Sequence, residues 1–152
     1  MPPPRAICHR LFWMTPEALA ALHARCFTMP RPWRMAEFQT LLADGAVVFT
    51  PGPHGFGMAR VVLDEAELLT IATDPDHQGH GHGATLLAQL HKDVQARGAT
   101  QIFLEVAATN LPAQALYRKL GYQPAGRRPN YYRTATGQTV DALLLRAALT
   151  AG

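Results

Sequence analysis

Two cysteines, Cys8 and Cys26, are too few for a disulfide scaffold in a chain of 152 residues, which is long enough to bury a core unaided. A reduced, cytoplasmic setting is expected. Charged residues are scarce too, at 16% against 48% hydrophobic, which excludes a disordered tail and predicts a globular protein. No uncharged run free of Gly and Pro approaches the roughly 18 to 20 residues that cross a bilayer. The start, Met1-Pro2-Pro3-Pro4-Arg5, lacks the continuous apolar stretch of an export signal. Neither a membrane partner nor export is expected. Lys and Arg leave a formal charge of +3 but are scattered, and Arg127-Arg128 beside a few tyrosines is too little for direct nucleic-acid binding. Without an internal repeat or linker, residues 1–152 read as a single domain.

What is present is a sequence of well-punctuated elements. Thr15-Pro16-Glu17 combines a helix cap, a first-turn proline and an early acid, with Leu19, Leu22 and Cys26 following at helical spacing to about Phe27. After a loop at 28–33, a short helix is predicted from about Arg34 to Asp44. Residues 46–50, 57–62 and 67–73 read as an antiparallel meander with turns at 51–53 and 63–65. From Gly83 the pattern turns helical, with Leu86, Leu87, Leu90 and Val94 on one stripe and Gly98 as the stop. A strand at 101–106, a helix capped by Asn110 and ended by Gly121, and strands at about 122–127 and 141–145 complete the chain. Early strands with later alternation predict an α/β (α+β) fold: a mixed, mostly antiparallel sheet with helices on both faces.

The segment from Thr73 to Gly83 joins a strand end to a helix start. Its glycines let backbone amides approach an anion, and the helix N-terminus adds free N–H groups and a positive dipole end. A di- or polyphosphate is expected at Gln78-Gly79-His80-Gly81-His82-Gly83-Ala84. It is not a P-loop, since no Gly-Lys-Ser/Thr follows, nor the dinucleotide fingerprint, whose spacing and acidic ribose partner are missing. His77, His80 and His82 raise a metal reading, but no carboxylate or cysteine spacing completes a site, and alternating glycines suit an anion nest better.

Gln78-x-x-Gly81-x-Gly83 resembles the Gln/Arg-x-x-Gly-x-Gly/Ala signature of the GNAT N-acetyltransferases. The resemblance runs from about Val61 to Leu145 through residues 62–68 and 71–75, Leu104-Glu105-Val106, Asn110, Ala115-Leu116-Tyr117, Leu120-Gly121-Tyr122 and Asn130-Tyr131-Tyr132, with a fainter echo in Pro32-Trp33. It is greatest to the branch that acetylates the N-terminus of bacterial ribosomal proteins. The resemblance implies the GNAT fold, acetyl-coenzyme A as cofactor, and a protein N-terminal amine as acceptor. It further implies a cofactor arm held by Ile71, Ala72 and Thr73, a contact from Asn110, Glu105 as proton acceptor and Tyr117 as proton donor, in a monomer or weak dimer. Departures are Gly79 and His80 where relatives often carry arginine or glutamine, Ala84 where a polar side chain is common, and Pro129 within a basic pair.

The residues themselves are compatible with those roles. Alternation along 101–106 places Phe103 and Glu105 on the face opposite Ile102, Leu104 and Val106, and burial of Glu105 there would raise its pKa toward that of a general base. An edge-strand Glu facing water is the plain alternative. Deprotonating an α-amine of pKa near 8 costs about 1.4 kcal/mol at pH 7, against about 4.6 kcal/mol for a lysine near 10.4. Such costs favour an N-terminal amine without excluding lysine or a polyamine. Tyr117 is either a core tyrosine with its hydroxyl at the rim or the group that protonates or hydrogen-bonds the departing sulfur. Arg128, Tyr131 and Tyr132 are expected in a loop that either grips the acceptor peptide or simply faces water, and Trp33 either lines the opposite wall or fixes a turn. No covalent intermediate is required, so Cys8 and Cys26 read as core-like thiols. A coenzyme A sensor without catalysis is the reading of another class, and the joint presence of Glu105 and Tyr117 argues against it.

Overall fold

The computed structural model describes residues 15–27 and 29–150; Cys8 and Thr28 lie outside them. Helices α1 (Pro16–Cys26) and α2 (Met35–Ala43) lead into strands β1 (Val47–Gly52), β2 (Gly55–Val62) and β3 (Glu65–Thr73). A 3₁₀ turn at Pro75–His77 precedes α3 (His82–Ala96), β4 (Gln101–Ala107), α4 (Leu111–Lys119), β5 (Gln123–Arg133) and β6 (Thr139–Ala148). The strands form one sheet in the order β1-β2-β3-β4-β6-β5, with β3–β4 parallel and the other pairs antiparallel. No helix among the described residues is long and apolar enough to cross a membrane.

The helix starts follow their caps. The Thr15 hydroxyl accepts from the Ala18 N–H at 3.2 Å and the Asn110 side chain accepts from the Ala113 N–H at 3.2 Å, each satisfying an N–H that the helix cannot. Helix α3 buries Leu86, Leu87, Leu90 and Val94, the stripe its 3.6-residue period predicts. With Ala59, Ala66, Leu68, Ile102, Leu104 and Tyr117 these form one core. Leu19 of α1 and Phe38 of α2 pack with Val47, Phe56, Met58 and Ala72 in a second core on the opposite face. Helices therefore cover both faces.

Ala66, Leu68 and Ala72 are all even-numbered, yet the first two belong to one core and the third to the other. A β-bulge explains this. Met58 pairs with Thr70 and Ala59 with Leu68, leaving Leu69 outside the register, so the side-chain alternation of β3 inverts there. Beyond the bulge, Thr70 faces α1 and Ile71 packs against the α3–α4 core.

One expectation is corrected. Arg128, Tyr131 and Tyr132 lie in strand β5 and not in a loop. The strand is hard to read because it is an outer strand, exposed along nearly its whole length, and has no apolar alternation. Its pairing with β6 is interrupted between Arg128 and Tyr132, where Asn130 takes a left-handed φ of 54°. Asp141 holds this irregularity by accepting from the Asn130 N–H at 2.9 Å and from Arg127 Nε at 2.7 Å. Proline is tolerated at such an edge bulge because its missing N–H costs no ladder bond there.

Candidate active site

Strands β3 and β4 pair only through Glu65–Gln101, Ala66–Ile102 and Glu67–Phe103. Beyond those rungs they separate, and the opening is a continuous cleft of two lobes that share Phe27, Ile71, Asn110 and Tyr117. One lobe, of about 500 Å³, lies at the start of α3; the other, of about 400 Å³, contains Glu105.

The first lobe is built for an anion. Gly79 and Gly81 have φ values of 83° and 80°, a region that side-chain-bearing residues avoid. Gly81 caps α3 with no side-chain hydrogen bond, and the first helical bond runs from the Thr85 N–H to the Gly81 carbonyl at 3.1 Å. The N–H groups of His82, Gly83 and Ala84 are thus left at the helix end, where the dipole is positive. This donor set fits the pyrophosphate of coenzyme A. Ile71, Ala72, Thr73, Gln78, Gly79, Gly81, His82, Gly83 and Asn110 all line the lobe. His80 is exposed outside it, its ring 6.2 Å from that of His82, and Ala84 offers only its N–H. The Thr73 carbonyl already accepts from Gln78 Nε2 and from the Cys26 thiol, both at 3.3 Å. Burial pushes that thiol's pKa up, the opposite of an activated nucleophile.

At the junction of the lobes, Tyr117 is buried and its pKa is raised, first by burial and then by Tyr132, so it remains a phenol and a donor at any ordinary pH. Glu105 faces the second lobe as the alternation of β4 predicts. It is not a lone carboxylate in an apolar wall: Arg128 Nε lies 2.8 Å from its Oε1, and Tyr131 stands beside it in the same lobe. Arg128 also lies over the Tyr131 ring, 5.6 Å from the centroid. Glu105 raises the pKa of Tyr131, and burial pushes that of Tyr132 up to about 12, so both phenols stay neutral.

Trp33 lines the far side of the second lobe, with Phe27 and His23. The His23 ring stacks between them, 4.3 Å from Phe27 and 5.0 Å from Trp33. Its Nδ1 accepts from the Trp33 N–H at 3.0 Å, which leaves Nε2–H to donate to Thr70 Oγ1 at 2.9 Å. Desolvation lowers the His23 pKa to about 4, so the ring is neutral and holds this wall to β3. Sequence reasoning missed His23; the available signal was its position four residues after Leu19, on the buried stripe of α1. Glu67, which the sequence offers with Asp64 and Glu65 as acids near one hairpin for a polyamine acceptor, lines the second lobe from β3.

Comparison with known proteins agrees with this architecture. The model of the acetyltransferase (GNAT) family matches residues 10–122. The [ribosomal protein bS18]-alanine N-acetyltransferase of Escherichia coli (strain K12) is 37% identical over 135 residues, 86% of this chain and 90% of that protein. The crystal structure of the ribosomal-protein-S18-alanine N-acetyltransferase from Escherichia coli aligns with a TM-score of 0.78 at 33% identity, covering 90% of this chain and 89% of that one. Arabidopsis thaliana NAA60 in complex with acetyl-CoA shares the fold, with a TM-score of 0.76 at 20% identity over 89% of this chain and 93% of that one. With its glycine cradle, its divided sheet and a family match over most of its length, the chain belongs to the GNAT acetyltransferase family and is an acetyl-CoA-dependent N-acetyltransferase.

Proposed function

We propose that this enzyme acetylates the N-terminal α-amine of a ribosomal protein in the cytoplasm, acting as a monomer or weak dimer, with Glu105 as proton acceptor and Tyr117 as donor to the departing sulfur. The observation that carries the reading is the single cleft in which Glu105 and Tyr117 meet one lobe while Tyr117 also borders the glycine cradle. Acetyl-coenzyme A supplies the activated thioester. The N–H groups at the start of α3 bind its pyrophosphate, Asn110 and the β3 edge at Ile71, Ala72 and Thr73 hold its arm, and His82 stands beside the phosphates. Trp33, Tyr131, Tyr132 and Arg128 border the acceptor's approach.

An α-amine reaches the cleft largely as ammonium, and its deprotonation near pH 7 costs about 1.4 kcal/mol. Glu105 accepts that proton, directly or through one water, while Arg128 keeps the carboxylate oriented. Complete proton transfer from a phenol above pKa 10 to a thiolate near 8.5 is uphill by at least about 2 kcal/mol. Tyr117 therefore acts chiefly by hydrogen-bonding the sulfur as negative charge develops on it.

Two matched peptides test the reading, one with a free N-terminus and no lysine, the other N-terminally blocked with one lysine. Incubation with acetyl-coenzyme A and mass analysis should show one acetyl group added to the free N-terminus alone. Modification of the lysine peptide alone would assign a different acceptor.

A further inference from the structure

We propose that His54, on the β1–β2 hairpin, joins His77 and His82 in a proton-dependent grip on the cofactor's phosphate groups, so that coenzyme A binds with uptake of a proton. This rests on the assignment of segment 78–83 to those phosphates. Three separate elements bring the imidazoles together: the hairpin, the 3₁₀ turn and the first turn of α3. The His54 ring lies 3.7 Å from that of His77, nearly parallel at 10°, and 4.6 Å from that of His82. His77 and His82 line the phosphate lobe, and His54 and His82 line the adjoining hollow on the other side of α3.

The hairpin is fixed in this position. The Asp74 N–H donates to the His54 carbonyl at 2.7 Å. A Cβ at neighbouring Gly55 would lie 2.1 Å from the Ala72 carbonyl oxygen, so the hairpin presses on the end of β3 as only glycine permits. Among the described residues, His77 Nδ1 is buried without a hydrogen-bond partner.

The surrounding charges leave the imidazoles short of an anion. Asp74 lies 3.9 Å from His77 Nδ1, but Asp74 and Asp76 are both engaged by Arg25 of α1, at 3.3 and 3.0 Å. Lys92 of α3 borders the hollow beside His54, His80 stands near His82, and the Cys26 thiol of α1 is turned to the Thr73 carbonyl. Stacked imidazoles repel when both are protonated, and His54 is held below its ordinary pKa by burial and then by His77 and His82. Negative phosphate charge beside the rings reverses that balance: a proton from solvent settles on the cluster, and the resulting imidazolium pairs with a phosphate oxygen.

Titration calorimetry of the full chain with coenzyme A at pH 6 and pH 8, in buffers of different ionisation enthalpy, tests this. If binding raises one imidazole pKa by about one unit, affinity gains up to about tenfold at the lower pH, with net uptake of up to about half a proton between the two pKa values. The ligand's own phosphate ionises near pH 6 and acts in the opposite sense, so the decisive comparison is between proteins. His54→Gln and His77→Gln should each remove much of the pH dependence and lower affinity at pH 6, with less than about a twofold change at pH 8. Identical pH dependence in the parent and both variants, or binding without proton uptake by the parent, overturns the proposal and leaves the cofactor assignment standing. Failure of coenzyme A to bind at either pH overturns both.

Discussion

Arg128 Nε and Glu105 Oε1 are 2.8 Å apart across strands β5 and β4, an ion pair whose halves differ in burial, at 59% and 23% side-chain exposure. An exposed guanidinium contributes about 0–1 kcal/mol through such a pair, because water screens it and its long side chain loses freedom. The carboxylate, turned into the cleft, is the half proposed to accept the proton. Glu105→Gln is predicted to lower kcat/KM for an N-terminal peptide by about 10²–10⁴, the usual range for a lost general base. Arg128→Ala should change it less than about tenfold and leave thermal stability nearly unaltered. Steady-state kinetics of both variants, with calorimetric coenzyme A affinity as control, checks the asymmetry; equal losses would make Arg128 as important as the carboxylate.

Tyr117 leads to a prediction about the alkaline limb. Burial raises its pKa, so the phenol remains protonated well above the ordinary range near 10. The kcat of the parent enzyme should therefore hold its plateau from about pH 8 to pH 10, with no fall caused by loss of this proton. Tyr117→Phe keeps the ring in the core and removes the donor, which should lower kcat by about 10–100-fold if the hydrogen bond to sulfur supplies about 1.4–2.7 kcal/mol. A kcat unchanged in the variant would leave Tyr117 a packing residue.

His23 makes stability fall in acid. Its ring is 1% exposed and its folded pKa is lowered to about 4, while the unfolded chain titrates near 6.5. Between those values the unfolded state binds more protons, so stability is complete above about pH 7 and is lost as pH falls toward 4. The integrated loss is up to about 3 kcal/mol, at about 1.4 kcal/mol per pH unit. Urea unfolding of the parent and His23→Gln from pH 7.5 to pH 5 should show the steeper decline in the parent. Parallel curves would contradict the neutral, buried ring.

The contrast between residues read easily and residues missed has a physical origin. Leu86, Leu87, Leu90 and Val94 repeat with the helix period, and Asn110 precedes a first-turn proline, so local geometry alone marks α3 and the start of α4. Glu105 stands out as a charge in an apolar strand. The bulge at Leu69 and the separation of β3 from β4 depend on strand register, which pairs residues distant in the chain. His54 stacks on His77 of the phosphate lobe through tertiary packing of a hairpin more than twenty residues upstream, and β5 has no apolar face to display a period. The positions proposed for catalysis and for phosphate binding are thus legible by motif, whereas the wall residue His23 and the partner of Glu105 require the fold.

The glycines of the phosphate loop should respond differently to the same substitution. Gly81 caps α3 at φ 80°, and although an added Cβ would meet nothing within 4 Å, alanine there must adopt a left-handed conformation costing about 1–2 kcal/mol. Gly83 lies inside the helix, where an added Cβ would make ordinary contacts, 3.5 Å from Leu116 Cδ2 and 3.7 Å from Thr73 Oγ1. Alanine at that site gains up to about 1 kcal/mol of helix propensity, while its methyl narrows the cleft beside the anion site. Gly81→Ala is accordingly predicted to lower both unfolding free energy and coenzyme A affinity, because relaxing the cap turns the free N–H groups away from a common point. Gly83→Ala should preserve or raise stability and weaken coenzyme A alone. Chemical denaturation and calorimetry on both variants separate the two effects, and a coenzyme A affinity untouched by either would remove the α3 N-terminus from the binding site.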